Sequence, residues 1–416
     1  RILHSVLYRR LPGTKRRMKF AHTADCHVGG WREEEMKSLS LLSFQKMIDC
    51  CIEEHVGFLL ISGDLFNTSI PQIDLIKEVA HQLNRLKEEN IDVYIIPGSH
   101  DYSPSGKTMI DVLEKAGLCH NVFKYKDNKL EFTIDKTNTK ITGVIGLAGG
   151  LEKAHYRVLD KSNLEAEKGF KIFMFHTLLN EFRPKDLEKV EGESYTLLPK
   201  GFSYYAGGHP HFVMEKRVPE YGVITYPGPL MPNNFKEIEE LKHGGFFICD
   251  DKMVLRHIPI KIKDVVSLVV SADNKTPLEV EREIESSIKR QEIKNKIVTL
   301  RVEGILKTGK PADINFPELI ESMEEAYCVL KNTYSLTTQE FEEIKADTGT
   351  VEEVEEKIIQ EHLGQIPLEQ IKIKEGELTK MMLSLLNKEK HEGERKADFE
   401  GRLMKEVVDT LQLKEV

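Results

Sequence analysis

Carboxylate, imidazole and hydroxyl side chains recur in five short segments of this chain, each just after an apolar run. The segments are Asp25-Cys26-His27, Gly63-Asp64, Gly98-Ser99-His100-Asp101, Phe175-His176 and Gly207-Gly208-His209-Pro210-His211. Donors of this kind, spread over several parts of a fold, suit a pair of divalent cations. Two ions ~3.5–4 Å apart can hold a phosphodiester, generate hydroxide from water and stabilise the attacking and leaving oxygens. Asp64 can offer one oxygen to each cation. Asp25, His27 and one later histidine would complete the first ion; Ser99, His176 and the other later histidine would serve the second. His100 stands beside the second ion's loop, and an imidazole can protonate a departing alkoxide near neutral pH. Oxygen and imidazole donors without thiolate favour manganese or iron over structural zinc. On an extended segment, His209 and His211 around Pro210 point the same way. Cys26 faces the opposite side and reads as a small buried hydrophobe.

Such donors converge only if strands deliver them. Short apolar runs at 19–22, 58–61, 93–96, 141–147, 171–175, 204–206, 223–226 and 245–248 read as strands. Between the first two, Leu41, Phe44, Ile48, Cys51 and Ile52 recur at helical spacing, and after the second so do Ile73, Ile76, Val79, Leu83 and Leu86. Strands alternating with amphipathic helices imply a sheet covered on both sides. Ligands in such α/β folds gather beyond the carboxyl ends of the strands. Asp25, Asp64, Ser99 and His176 occupy such positions. His22, His155 and His257 have no partner pattern and read as ordinary.

The chain has 416 residues, enough for two to three domains, with 40% hydrophobic and 31% charged residues. It contains no apolar run long enough to span a membrane. A formal net charge of −9 excludes coating nucleic acid by bulk charge, so DNA contact requires a local basic strip or bound cations. Arg32, Lys107 and Lys200 are candidates for phosphate contact. The six cysteines form no paired CxxC set, which fits a reduced, cytoplasmic protein. Residues 1–17 carry Arg1, Arg9, Arg10, Lys15, Arg16 and Arg17 with no acidic residue, and read as a disordered basic extension before the first strand.

A second, smaller α/β pattern covers 260–340: strands at 265–270 and 297–302, a helix over 278–291, another over 316–327 and a final strand at 328–336. It carries no cluster of metal-type donors and reads as a capping, substrate-recognising domain. Residues 341–416 turn polar and helical. Val354, Ile358, Ile359 and Leu363 form one stripe, and Phe399, Leu403, Val407 and Leu411 another. Between them Leu378, Met381, Met382, Leu385 and Leu386 form a stripe suited to an amphipathic helix laid in a partner's groove.

Taken in order, Asp25-x-His27, Gly63-Asp64-Leu65-Phe66, Gly98-Ser99-His100-Asp101, His176 and Gly208-His209-Pro210-His211 resemble the motifs of calcineurin-like metallophosphoesterases. Within that superfamily the chain is most similar to the meiotic-recombination-eleven, or SbcD-type, nucleases of double-strand-break repair. Supporting details are the opening run Met18-Lys19-Phe20-Ala21-His22, the motif spacing, the following small domain and the helical tail. The likeness covers Met18 onward and is most specific in the first ~230 residues.

The resemblance implies an α/β fold, a metallophosphoesterase β-sandwich flanked by helices, with the nuclease domain at 18–259. It implies two manganese ions, exo- and endonucleolytic cleavage of DNA, a homodimer built through helices of the nuclease domain, a prokaryotic, nucleoid-associated setting, and a tail bound to an SMC-like ABC ATPase of SbcC type. Carried over by residue, Asp25, His27, Asp64 and His211 would hold one ion, Asp64, His176 and His209 the other, and His100 would be the general acid. Ser99 stands where the family normally has an asparagine ligand, and Asn67 where some members carry a further histidine. A hydroxyl is a poorer ligand than an amide carbonyl, so the second site would be the weaker. The alternatives are a metallophosphodiesterase acting on small substrates and a DNA-tethering scaffold with weakened catalysis.

Overall fold

A computed structural model describes residues 18–102, 106–147, 150–250, 252–339, 375–386, 388 and 396–410. The chain divides into two compact units between Asp264 and Val265.

The first unit is built on two six-stranded sheets. The first sheet contains β1 (Phe20–Thr23), β2 (Phe58–Ser62), β3 (Asp92–Ile96) and β4 (His120–Asn121). A small hairpin, β5 (Tyr125–Lys126) with β6 (Lys129–Leu130), leads into the second sheet. That sheet holds β7 (Thr133–Ile134), β8 (Lys140–Gly143), β9 (Lys171–His176), β10 (Tyr204–Gly208), β11 (Val213–Val218) and β12 (Gly222–Pro227). The chain then returns to the first sheet as β13 (Gly244–Cys249) and β14 (Leu255–Ile260), giving orders 14-13-1-2-3-4 and 11-12-10-9-8-7. β1 to β4 are mutually parallel, as are β8, β9, β10 and β12, so each sheet sends several carboxyl ends in one direction.

Alternation along the strands explains why the central runs are apolar throughout. In β1, Phe20 faces the other sheet and Ala21 faces the helices. Phe20, Phe58, Leu60, Tyr94 and Ile96 meet Ile141, Ile172, Met174, Tyr204 and Val223 in a core between the sheets. Phe20 and Phe58 stack at 5.2 Å, with Tyr204 edge-on to Phe20 at 5.0 Å. On the first sheet's outer face, Leu59, Ile61, Val93 and Ile95 pack against α1 (Glu34–Glu53), α2 (Ile73–Glu88) and α3 (Met109–Lys115). Phe173, Phe175, Tyr205 and Tyr226 of the second sheet pack outward on residues that include Tyr156 of α4 (Lys153–Val158) and Leu164 of α5 (Ser162–Ala166). The sandwich flanked by helices therefore matches the expected fold class.

Several local expectations change. The run 141–147 is a strand only as far as Gly143. Beyond it Gly146 N–H turns to the Pro97 carbonyl at 2.9 Å, binding the loop after β3 instead of continuing the ladder. α2 begins at Ile73, but that side chain is 83% exposed, and its buried face starts at Val79. β11 has a polar, exposed pattern because it is an edge strand, which is why hydrophobic runs did not disclose it.

In the second unit, β15 (Val265–Ser271), β16 (Ile297–Leu306) and β17 (Cys328–Asn332) are parallel neighbours, with α7 (Pro277–Lys289) packed on β15. The helix expected at 316–327 is only α8 (Phe316–Glu321). The strand expected at 328–336 breaks at Thr333-Tyr334, where Asn332 Oδ1 accepts the Tyr334 N–H. The chain resumes as β18 (Leu336–Thr338) on the far half of β16. Further on, α9 (Glu375–Leu386) packs against α10 (Lys396–Thr410). Leu378 and Leu385 are buried, whereas Met381 is 41% exposed, so the α9 stripe is only partly open. Of the expected features, residues 1–17, the Val354–Leu363 stripe, the Leu386 side chain and Leu411 lie outside the described residues.

Phe58 is fully buried between the sheets. Phe58→Ala should destabilise the first unit by about 3–5 kcal/mol, the usual cost of deleting a buried phenyl, as a lower urea midpoint would register.

Candidate metal centre

Each candidate donor leaves a parallel strand at its carboxyl end. Asp25 and His27 follow β1, Asp64 follows β2, Ser99 and His100 follow β3, His176 ends β9, and His209 follows β10. The loops are tied together by backbone: Asp25 N–H donates to the Gly63 carbonyl at 3.1 Å and His27 N–H to that of Asp64 at 3.0 Å. Asp101 completes the tie, its buried carboxylate accepting N–H groups of Leu65, Phe66 and Gly98 at 3.0–3.1 Å.

This convergence has a conformational cost. Asp25, His27, Asp64 and His209 all have positive φ, at 50°, 41°, 52° and 93°. Such non-glycine positions cost about 1–3 kcal/mol each and cluster at functional sites. Close approach also demands glycine twice over. A Cβ on Gly63 would stand 2.1 Å from His176 Nδ1, and one on Gly98 2.2 Å from Asp64 Oδ1.

The resulting distances fit cation ligands. Donor atoms of Asp25, His27 and His211 lie within 4.8 Å of one another, as do those of Asp25, Asp64 and His176, and those of His27, Asp64 and His100. His27 Nε2 is 3.2 Å from His211 Nε2, His176 Nε2 is 3.2 Å from Asp64 Oδ2, and His211 Nε2 is 3.8 Å from Asp25 Oδ1. Adjacent donors on a cation with bonds of ~2.1 Å at right angles stand about 3 Å apart. The buried His176 Nε2 has no hydrogen-bond partner, although a carboxylate oxygen lies beside it. The residues present therefore fit a divalent cation pair.

The electrostatics describe a pocket of unlike charges out of water. Burial raises the Asp25 carboxyl to about 6 despite the opposing pull of His211 and His176. Burial would also raise Asp64, but His176 and His27 outweigh it and hold the carboxyl well below its ordinary range. Burial would lower His176, yet Asp64 lifts it to about 10. Burial likewise opposes a charge on His211, but Glu237 and Asp25 raise it to about 9. Burial dominates at His27, lowered to about 3, and at His209, lowered to about 4.

Ser99 Oγ lies 3.4 Å from Asp64 Oδ2. His100 is exposed, with its N–H donating to Asp64 Oδ1 at 2.8 Å and Nδ1 2.8 Å from the Asn67 carbonyl. His209 and His211 do not sit on an extended segment. The positive φ at His209 turns the chain, directing its ring towards His176, 5.2 Å between centroids, while His211 reaches His27. Beside the centre lies a cleft of about 590 Å³ lined by Ser99, His100, His176, His209 and Lys153.

Arg32 and Lys107 are exposed in loops leading to α1 and α3. Lys200 lies elsewhere, near the amino ends of β9 and β10, with Nζ 3.0 Å from Glu220. Cys26 is buried, as expected. Lys153 and Glu237 were missed: Lys153 is one basic residue in an undistinguished stretch, whereas Asn234-x-x-Glu237 is a legible helix-start signature. His22 is not ordinary. It is fully buried between the sheets, bonded to Tyr204 Oη at 2.9 Å and Ser62 Oγ at 3.1 Å, and burial lowers it to about 3.

Residues 18–212 match the calcineurin-like phosphoesterase family, and the chain thus contains a metal-dependent phosphoesterase domain of that family. Its relatives narrow the likeness. It is 29% identical over 246 residues to the DNA double-strand break repair protein Mre11 of Methanococcus maripaludis, covering 56% of this chain and 63% of that protein. It is 25% identical over 388 residues to the Sulfolobus acidocaldarius protein of the same name, covering 89% and 95%. A dimetal phosphatase from Danio rerio superposes on 59% of this chain and 99% of its own, with TM-score 0.40 and 9% identity.

Gly98→Ala should displace the Asp64 carboxylate and reduce the divalent metal bound per chain, measured by metal analysis after dialysis. Unchanged metal content would contradict the crowding at this position.

Proposed function

We propose that this chain is a manganese-dependent DNA nuclease, exo- and endonucleolytic, that processes double-strand breaks. The observation that carries the reading is the convergence of Asp25, His27, Asp64, His176 and His211, with the His209 ring against His176, beside an open cleft, in a chain similar to a double-strand break repair protein over 95% of that protein's length. Asp25, His27, Asp64 and His211 hold one cation; Asp64, His176 and His209 hold the other, with Ser99 its weaker oxygen donor. Bound divalent ions supply positive charge to a phosphodiester and Lewis acidity to water.

The remaining work falls to the protein. Asp64, held by the His100 N–H, stays ionised and bridges both positions. His100 borders the cleft with Nδ1 held by the Asn67 carbonyl, which leaves Nε2 to deliver a proton to the departing oxygen. Lys153 on the cleft wall, with Arg32 and Lys107 further out, meets backbone phosphates. Residues 260–340 act as a capping domain that recognises DNA. We place the protein in a prokaryotic cytoplasm at the nucleoid, as a homodimer whose tail stripe, Leu378, Met381, Met382, Leu385 and Leu386, engages an SMC-like ABC ATPase of SbcC type.

Asp64→Ala and His100→Asn test the assignment together on linear DNA with manganese. Asp64→Ala should lose both bound metal and cleavage. His100→Asn should keep metal and DNA binding while turnover falls about 10²–10⁴-fold, the usual contribution of a general acid. Full cleavage by Asp64→Ala would refute the site, and metal loss in His100→Asn would make that residue a ligand.

A further inference from the structure

Four imidazoles of the centre differ in what holds their outer nitrogen. His176 Nδ1 lies 2.8 Å from the Ser62 carbonyl and His100 Nδ1 2.8 Å from the Asn67 carbonyl. His27 Nδ1 is buried without a partner. His211 Nδ1 alone of these four meets a carboxylate, Glu237 Oε1, at 2.8 Å.

That carboxylate is itself fixed. Glu237 stands in the first turn of α6 (Phe235–Leu241), where its N–H donates to the capping Asn234 Oδ1 at 3.0 Å. Glu237 Oε2 accepts the Asn233 N–H at 2.7 Å, and Asn234 Nδ2 donates to Oε1. Asn233 is wedged against Gly30, where a Cβ would come within 2.3 Å of its Oδ1, and its amide reaches Asn67 Oδ1 at 3.4 Å. The Glu237 side chain is only 14% exposed, so water competes weakly for it. In the neutral ring that a cation would bind, the proton is drawn to Nδ1 and the lone pair belongs to Nε2, which faces His27 Nε2 at 3.2 Å and Asp25 Oδ1 at 3.8 Å.

We propose that Glu237 is a positioning residue for the cation held by Asp25, His27 and His211. It fixes the His211 tautomer and strengthens Nε2 as a donor, making this the tighter of the two positions. The carbonyl-backed His176 serves the weaker one. The inference rests on the two-cation reading above. Carboxylate partners of histidine ligands typically contribute about 10–100-fold in metal affinity.

Calorimetric titration of the metal-free full chain with Mn²⁺, without DNA, tests this. The wild type should show a tight and a weak class. E237A should weaken the tight class towards the upper end of that ~10–100-fold range, and E237Q, which keeps an acceptor oxygen but not the charge, towards the lower end. In an H211A background, E237A should have no further effect, because the two residues act as one unit. Thermal melts of the metal-free variants identify any that fail to fold; E237Q, nearly isosteric, then carries the test. A folded E237Q with wild-type affinities overturns the proposal, as does an equal effect of E237A with and without His211. If the wild type binds no manganese at all, the two-cation reading itself fails, which separates the two failures.

Discussion

The Asp64 carboxylate is the point on which the site is organised. It is buried where the two sheets meet, reached by His176 from one sheet and by the His100 N–H from the other. A buried carboxylate with no cation beside it is costly, and everything near Asp64 is arranged against that cost. Gly98 has no side chain because any would occupy the carboxylate's space, and Gly63 none because any would occupy that of His176 beside it. Asp101 collects three backbone N–H groups and so fixes the loops on either side of it. The crowding of imidazoles is the other half of the same constraint, since a divalent cation would take the lone pairs that these rings turn towards one another.

The sandwich serves that arrangement directly. Parallel strands send their carboxyl ends to one edge, and joining two such sheets brings two sets of loops together. Only there can donors from five separate strands meet within a few ångströms. The Phe20–Phe58 stack with Tyr204 edge-on to Phe20, and the bonding of His22 to Tyr204 and Ser62, hold the sheets in the alignment the loops require. Ser62 is a junction in this respect: its hydroxyl bonds His22 while its carbonyl holds His176.

Much of this was legible in the residues. The donor segments are recognisable because carboxylates and imidazoles directly after apolar strands have few structural uses. Strands buried on both faces announce themselves as uninterrupted apolar runs, which is why β1, β2, β3 and β9 were readable. β11 was not, because an edge strand is half solvated and looks like a loop. The turn at His209 was hidden for a different reason: left-handed backbone at a non-glycine residue is imposed by tertiary packing and has no local signal. Glu237 was missed because its cap signature explains it fully until His211, distant in sequence, is placed beside it.

His27 and His211 stand 184 residues apart in the chain yet 3.2 Å apart in space. The first cation position therefore has no meaning for a partly synthesised chain. While a ribosome is still producing residues before His211, Asp25, His27 and Asp64 lack the imidazole that completes this group of candidate donors. The donor set is complete only once strands of both sheets are in place. A protein able to cut phosphodiester bonds thus emerges from the ribosome beside messenger RNA with its chemistry still unassembled.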